Sequence, residues 1–105
     1  MAWLALVAAA LLEIVWALAL KQSEGFTRLW PSVIGVVFAA TSFVMLTLAL
    51  RHLPVGTAYA VWVGLGAFGV AVAGVLLLGE DADPLRIVFL ALILIGVAGL
   101  RYLEA

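Results

Sequence analysis

The first apolar stretch, residues 2–20 (AWLALVAAALLEIVWALAL), carries one ionisable side chain, Glu13, near its middle. Its length is close to the roughly 20 residues that an α-helix needs to cross a bilayer core. A carboxylate at that depth costs roughly 2.5–3.5 kcal/mol to insert on translocon-based scales. Because ionisable groups kept inside a membrane are functional by default, Glu13 is predicted to be the working group of the protein. The alternatives are an acid that snorkels to an interface and one that is permanently protonated.

The composition is that of an integral membrane protein. Hydrophobic residues make up 69% of the chain and charged residues 10%, against about half and a quarter in soluble domains. A chain of 105 residues is predicted to form one domain, residues 1–105, which is too thin to enclose an aqueous path without self-association. A net charge of −1 without a basic cluster argues against a nucleic-acid partner. No Ser-His-Asp set, metal cluster or nucleotide loop is present in the sequence, so we expect neither an enzyme nor a metal or cofactor.

Four apolar runs predict an all-α membrane protein with four transmembrane helices. The runs fall at about residues 2–20, 32–50, 55–79 and 85–103. They lack the alternation of a membrane barrel. Pro31 and Pro84 each fit a first helical turn, where the missing N–H costs nothing, and Thr57 and Asp83 are candidate helix caps. No Lys or Arg precedes the first run, so we expect residues 1–20 to be retained rather than cleaved as a signal peptide.

The Lys and Arg residues are divided almost evenly between the two sides of the predicted membrane. One side carries Arg51 and Arg101, and the other carries Lys21, Arg28 and Arg86. Under the positive-inside rule this distribution gives almost no preferred orientation. The sequence therefore predicts insertion in both orientations and, together with self-association, an antiparallel dimer. A fixed orientation set by other features is the alternative.

Polar and aromatic side chains accompany Glu13 within the apolar runs. Trp16 lies one turn after Glu13, since residues three or four apart share a helix face. The second run offers Ser42, and the third offers Tyr59 and Trp62, again three apart. A carboxylate, hydroxyl groups and ring faces together suit a cation, which rings attract through their π-systems. An interfacial role for Tyr59 and simple core packing for Trp62 remain alternatives.

Glycines follow these aromatic residues in the third run and recur in the fourth. Gly64 and Gly66 permit either a hinge or close helix packing, and both interpretations stay open. In the fourth run Gly96 and Gly99 form a small-residue stripe among Leu and Ile. Stripes of this kind let two membrane helices approach closely, so we expect this one at a contact between subunits.

Over its whole length the chain resembles the small multidrug resistance family. The resemblance is carried by three stretches together: LEIVWA at residues 12–17, GFTRLWPS at 25–32 and PVGTAYAVW at 54–62. It implies a proton-coupled antiporter that works as an antiparallel, dual-topology homodimer in a bacterial inner membrane. The proton gradient would then be the driving force, and no cofactor is needed.

Within that family, Trp16 resembles the guanidinium-exporter subtype, whereas exporters of polyaromatic drugs typically carry Gly at this place. The resemblance implies that Glu13 is the shared binding site of substrate and proton. It further implies that Trp16 and Ser42 hydrogen-bond or orient the central glutamates. By the same resemblance, Tyr59 and Trp62 are aromatic walls of the pocket.

Val63 is a departure from this subtype, because guanidinium exporters often have Thr there and a hydroxyl near the pocket is therefore missing. The favoured function is the export of guanidinium and small substituted guanidinium cations. A broad exporter of quaternary ammonium and other drug cations is one alternative. A non-transporting membrane subunit, in which Glu13 pairs with a partner's basic residue, is another. The expected partners are a small cation, protons, the lipid bilayer and a second copy of the chain.

Overall fold

The computed structural model describes the backbone of residues 1–104 and the side chains of residues 1–103, and within this range it holds four helices and no strands. The helices are α1 (Ala2–Gln22), α2 (Leu29–Ala49), α3 (Val55–Leu78) and α4 (Pro84–Glu104). All four are long and apolar enough to cross a membrane. The prediction of an all-α chain with four transmembrane helices is confirmed. Ala105, the last residue of the predicted domain, lies outside the described residues.

The predicted helix starts agree with the structure at Pro31 and Asp83 and differ from it at Thr57. Pro31 lies in the first turn of α2, as expected. The Leu85 N–H donates to Asp83 Oδ1 at 2.8 Å, so Asp83 caps α4. The prediction that Thr57 caps α3 is wrong, because the N-cap is Pro54 and Thr57 already lies in the first helical turn. The helix begins after the extended backbone of Pro54, earlier than a cap at the Thr57 hydroxyl would place it.

The turn between α1 and α2 is held by one buried side chain, that of Ser23. Its hydroxyl donates to the Leu20 carbonyl at 2.6 Å and accepts the Phe26 N–H at 3.2 Å. Glu24, Gly25 and Phe26 all have positive φ, at 50°, 74° and 68°. Two of these are not glycine, and such residues rarely adopt this conformation. The Ser23 hydrogen bonds therefore fix a turn that the backbone would otherwise disfavour.

α1 is the central helix, and it packs against both α2 and α3. Most of the fully buried residues on these three helices are small or aliphatic, which lets the helices approach closely. The buried core consists of Leu6, Ala9, Ala10, Leu46, Ala49, Ala58, Val61 and Trp62. The chain measures 41 × 34 × 16 Å, so it is a thin slab rather than a closed bundle.

α4 lies at the edge of this slab and packs mainly on α3. A Cβ at Gly64 would stand 2.7 Å from Val97 of α4, so Gly64 provides room for α4 to seat on α3. The Arg101 guanidinium lies 4.6 Å from the centre of the Trp3 ring and connects the end of α4 to α1. Gly96 and Gly99 have nothing within 4 Å of a Cβ added there. The predicted small-residue stripe is therefore on an open face of α4.

Candidate functional site

Glu13 lies on the face of α1 that packs against α3. Its carboxylate rests on Gly66, where an added Cβ would collide with the carboxyl carbon and Oε1. Glu13 Oε1 is buried, and within residues 1–104 no group donates a hydrogen bond to it. A buried polar atom without a partner costs about 1–3 kcal/mol. Glu13 therefore presents a strong acceptor that the chain itself does not satisfy.

Trp16 shows the complementary feature one turn further along α1. Its indole Nε1 is also buried and has no acceptor in the part of the chain that the structure describes. The indole N–H is a donor only. A donor and an acceptor thus lie close together in sequence, yet no described hydrogen bond joins them or uses either one.

Ser42 and Trp62 form a closed hydrogen-bond network beside this pair. The Trp62 indole donates to Ser42 Oγ at 3.0 Å, and Ser42 Oγ donates to the Ala9 carbonyl at 2.7 Å. In a regular α-helix the carbonyl of Ala9 also accepts the N–H of Glu13. Ser42 is 0% exposed and Trp62 4% exposed. Within one chain, Ser42 therefore acts on the α1 backbone one turn before Glu13 and not on the carboxylate.

Two aromatic rings lie against that of Trp62. The ring of Phe43 lies 5.1 Å from it and that of Tyr59 lies 5.6 Å from it, both tilted by 58°. Tilted contacts at this separation are favourable for aromatic pairs. Tyr59 is 55% exposed, so its other face is open to a ligand, a lipid or a second copy. The sequence did not single out Phe43, because one apolar side chain in an apolar helix carries no distinguishing signal.

A groove connects Glu13 to one end of the slab. It has a volume of about 370 Å³ and runs between α1 and α3 towards the loop that joins α3 to α4. Three charged side chains, Lys21, Glu80 and Arg86, lie at its outer end. Its remaining walls are mostly apolar, formed by Ala17, Leu18, Ala67, Val70, Ala71, Gly74 and Leu78. The groove therefore leads from the charged side chains at the end of the slab to Glu13.

Comparison with known proteins places this arrangement in a family. The profile of the family described as Small Multidrug Resistance protein matches residues 1–93. The chain belongs to the small multidrug resistance family. Proteins named "Guanidinium exporter" from Citrobacter freundii, Escherichia coli (strain K12) and Klebsiella oxytoca are each 54% identical to it over 101 residues, 96% of either chain. The resemblance predicted from the sequence is confirmed, and this member of the family is a multi-pass protein of the bacterial inner membrane.

Two predicted pocket residues of this small multidrug resistance protein, Val63 and Tyr59, do not line the Glu13 groove. Val63 is half-exposed on α3. A larger groove of about 520 Å³ lies at the opposite end of the slab, between α1 and α2, and has no acid in its walls. Among the side chains of residues 1–103 no three His, Asp or Glu groups are placed to hold a metal ion.

Proposed function

We propose that this protein exports guanidinium and small substituted guanidinium cations in exchange for protons. The observation that carries the proposal is the buried Glu13 Oε1, an acceptor without a donor in residues 1–104. Guanidinium is planar, cationic and rich in N–H donors, and a carboxylate can accept two of them side by side. The relatives named guanidinium exporters, which are 54% identical to this chain, support the same substrate class.

Exchange follows from competition for the same oxygen atoms. A carboxylate that holds a proton has lost the charge that attracts the cation, and a carboxylate paired with guanidinium resists protonation. Each occupant therefore excludes the other, and the proton gradient drives export without a cofactor. Guanidinium binding should accordingly weaken as the pH falls, because the proton occupies the site more often.

The proposed working unit is an antiparallel homodimer in which the chain inserts in both orientations. The 16 Å thickness of the slab supports this, since one chain cannot surround a cation. A second copy would bring another Glu13 carboxylate, an acceptor of the kind that the Trp16 N–H lacks. The open stripe at Gly96 and Gly99 is the proposed contact between the two α4 helices.

Alternating access in this dimer is proposed to involve flexing of the Gly64–Gly69 segment of α3. Gly64 seats α4, and Gly66 seats the Glu13 carboxylate. A change in helix curvature here would therefore move the subunit contact and the binding site together. Small residues tolerate such a change because neighbouring helices can satisfy the loosened backbone.

The substrate is tested with purified protein in liposomes under one fixed proton gradient. The three cations compared are guanidinium, a singly alkylated guanidinium and a bulky quaternary ammonium. We expect guanidinium to move best and the alkylated form to follow. The bulk of Trp16 favours compact cations, and the unsatisfied Glu13 Oε1 favours cations that bring N–H donors. Faster movement of the quaternary compound would assign the broad drug-exporter function. No movement of any cation would leave a non-transporting subunit.

Orientation is tested with a single cysteine at Ala82, an exposed residue in the loop between α3 and α4. The sequence has no cysteine of its own, so Ala82→Cys gives one label per chain. We expect a membrane-impermeant thiol reagent to label part of the population from each side of the membrane. Labelling from one side alone would exclude dual topology. Adding two Lys residues to the same loop should shift the label towards one side.

A further inference from the structure

Two carboxylates lie along the same groove. Glu13 is at its inner end and Glu80 at its outer end. Each rests on a glycine of α3: a Cβ at Gly66 would collide with the Glu13 carboxylate, and one at Gly74 would collide with that of Glu80. The two glycines are about two helical turns apart, which is roughly 12 Å along the helix axis. The groove thus has an acid at each end, each placed where α3 lacks a side chain.

The position of Glu80 is set by the backbone that ends α3. Gly79 has a φ of 69°, the left-handed conformation that commonly terminates a helix. The next N–H, that of Glu80, donates to the Gly74 carbonyl at 3.1 Å. This pattern returns the chain over the last turn of α3. The backbone at the end of α3 therefore brings Glu80 back towards the groove.

Arg86 of α4 reaches back to this carboxylate. Its Nη2 lies 3.3 Å from Glu80 Oε1, and its Nη1 donates to the Asp81 carbonyl at 2.9 Å. The side chains of Arg86 and Glu80 are 39% and 40% exposed, and ion pairs so open to solvent are weak. The head of Arg86 is itself a guanidinium group. A free guanidinium ion therefore matches the chemistry of the group that Glu80 already holds.

We propose that Glu80 is an outer guanidinium site at the mouth of the groove and that Arg86 occupies this site as an internal competitor. The ligand assignment rests on the proposed function. Guanidinium from solution displaces the Arg86 head, binds Glu80 and then moves along the groove to Glu13. An acid at this point also offsets the positive charge of Lys21, which otherwise repels cations from the same opening.

Opposite effects of two neutral substitutions test this site. Glu80→Gln removes the outer site, so the KM for guanidinium should rise about twofold to fivefold, the size expected of one partly exposed charge pair. Arg86→Gln removes the competitor, so the KM should fall by a similar factor. The kcat should change little in either variant, because Glu13 is untouched. Guanidinium-evoked currents on a solid-supported membrane measure both constants.

The double variant separates competition from simple repulsion. If Arg86 acts by occupying Glu80, Arg86→Gln has no further effect on KM once Glu80→Gln is present. If Arg86 only repels cations through its charge, Arg86→Gln lowers KM equally in both backgrounds. The second result would overturn the proposal. So would single variants that shift KM in the same direction, which is the behaviour of an ion pair that only supports the loop.

Matched controls exist for both substitutions. Asp81→Asn removes an equal charge from the same loop, yet keeps the main-chain carbonyl that Arg86 uses. Arg28→Gln removes one Arg from the same side of the membrane, so it changes the orientation bias as Arg86→Gln does. Shifts no larger than those of the controls would also overturn the proposal. Failure of the unsubstituted protein to move guanidinium would instead overturn the proposed function.

Discussion

Two indole N–H groups in this membrane protein differ in their surroundings. The N–H of Trp62 donates to Ser42, which in turn donates to the Ala9 carbonyl, and all of these groups are buried. The N–H of Trp16 is also buried but has no acceptor within residues 1–104, and the nearby Glu13 Oε1 has no donor. The first set is complete within one chain and stabilises its fold. The second set has bonding capacity left for a ligand, a proton or a second copy.

The largest effect should come from Glu13→Gln, which keeps the size of the side chain but removes its charge. Hydrogen bonds to charged groups are worth about 1.5–3 kcal/mol, so guanidinium binding should weaken about tenfold to 150-fold, and proton coupling should be lost. Because the carboxylate makes no hydrogen bond within the described chain, thermal stability in detergent should not fall. Transport in liposomes and thermal unfolding measure the two effects.

Glu24→Gln is the matched control for this substitution, because Glu24 is an exposed acid in the turn between α1 and α2. It should leave transport unchanged. The apparent affinity of the unsubstituted protein for guanidinium should increase with rising pH, and that of Glu13→Gln should not. Proton-coupled transport that persists in Glu13→Gln would remove Glu13 from its proposed role.

Gly66→Ala should have the next largest effect, since it disturbs the unsatisfied Glu13 and Trp16 groups without changing any polar group. The added methyl group collides with the Glu13 carboxylate, and overpacking of this kind costs about 1–3 kcal/mol. The carboxylate must move to relieve the collision, so guanidinium affinity should also fall, by about 150-fold at most if the whole cost falls on the bound state. Gly56→Ala is the control in the same helix, because nothing lies within 4 Å of a Cβ there. Equal transport by both variants would show that Gly66 does not position Glu13.

Ser42→Ala breaks the hydrogen-bond network of Trp62, Ser42 and Ala9, and it should act mainly on stability. It leaves the buried Trp62 N–H without an acceptor, at a cost of about 1–2 kcal/mol in the free energy of unfolding. Adding Trp62→Phe should then cost less than it does alone, because the unpaired donor is removed as well. Thr47→Ala is the control, since that hydroxyl donates only to the Phe43 carbonyl of its own helix. Additive losses in the double variant would contradict the network.

Trp16→Phe should have the smallest effect. It can be compared directly with Trp62→Phe, because the same substitution is made at the other indole. It removes a donor that no residue in the described range uses, so stability should be lowered less than by Trp62→Phe, by about 1 kcal/mol. Guanidinium affinity should nevertheless fall about twofold to tenfold if the N–H serves a second copy's carboxylate. Equal destabilisation by the two variants would mean that both indoles are satisfied in the working assembly.

The fold was predictable from the sequence because apolar run length depends on bilayer thickness and not on tertiary contacts. Glu13 could be chosen as a candidate for a related reason: the cost of a charge in an apolar helix marks it without knowledge of its neighbours. Its functional role stays a prediction. The cap at Asp83 was also found, since a helix start is a local feature. The Thr57 cap was wrong, because Pro54 begins the helix within the same short segment.

The contacts between helices could not be predicted in this way. A glycine in an apolar run reads equally as a hinge or as a packing site, and only the structure shows that Gly66 seats the Glu13 carboxylate. Phe43 has no feature that separates it from other apolar residues until its ring is seen against Trp62. In the sequence Glu80 is one of three acids in a short segment with Asp81 and Asp83, and nothing sets it apart from the other two. Its place in the groove depends on the way the chain turns back at the end of α3.

The 16 Å thickness of the slab also has a genetic consequence. In the proposed dimer one gene encodes both walls of the binding site, so every mutation is present twice and no wall can change alone. A substitution that improves one wall must be tolerated in the other. A tandem fusion of two copies would remove this constraint, and it would allow each wall to acquire substitutions of its own.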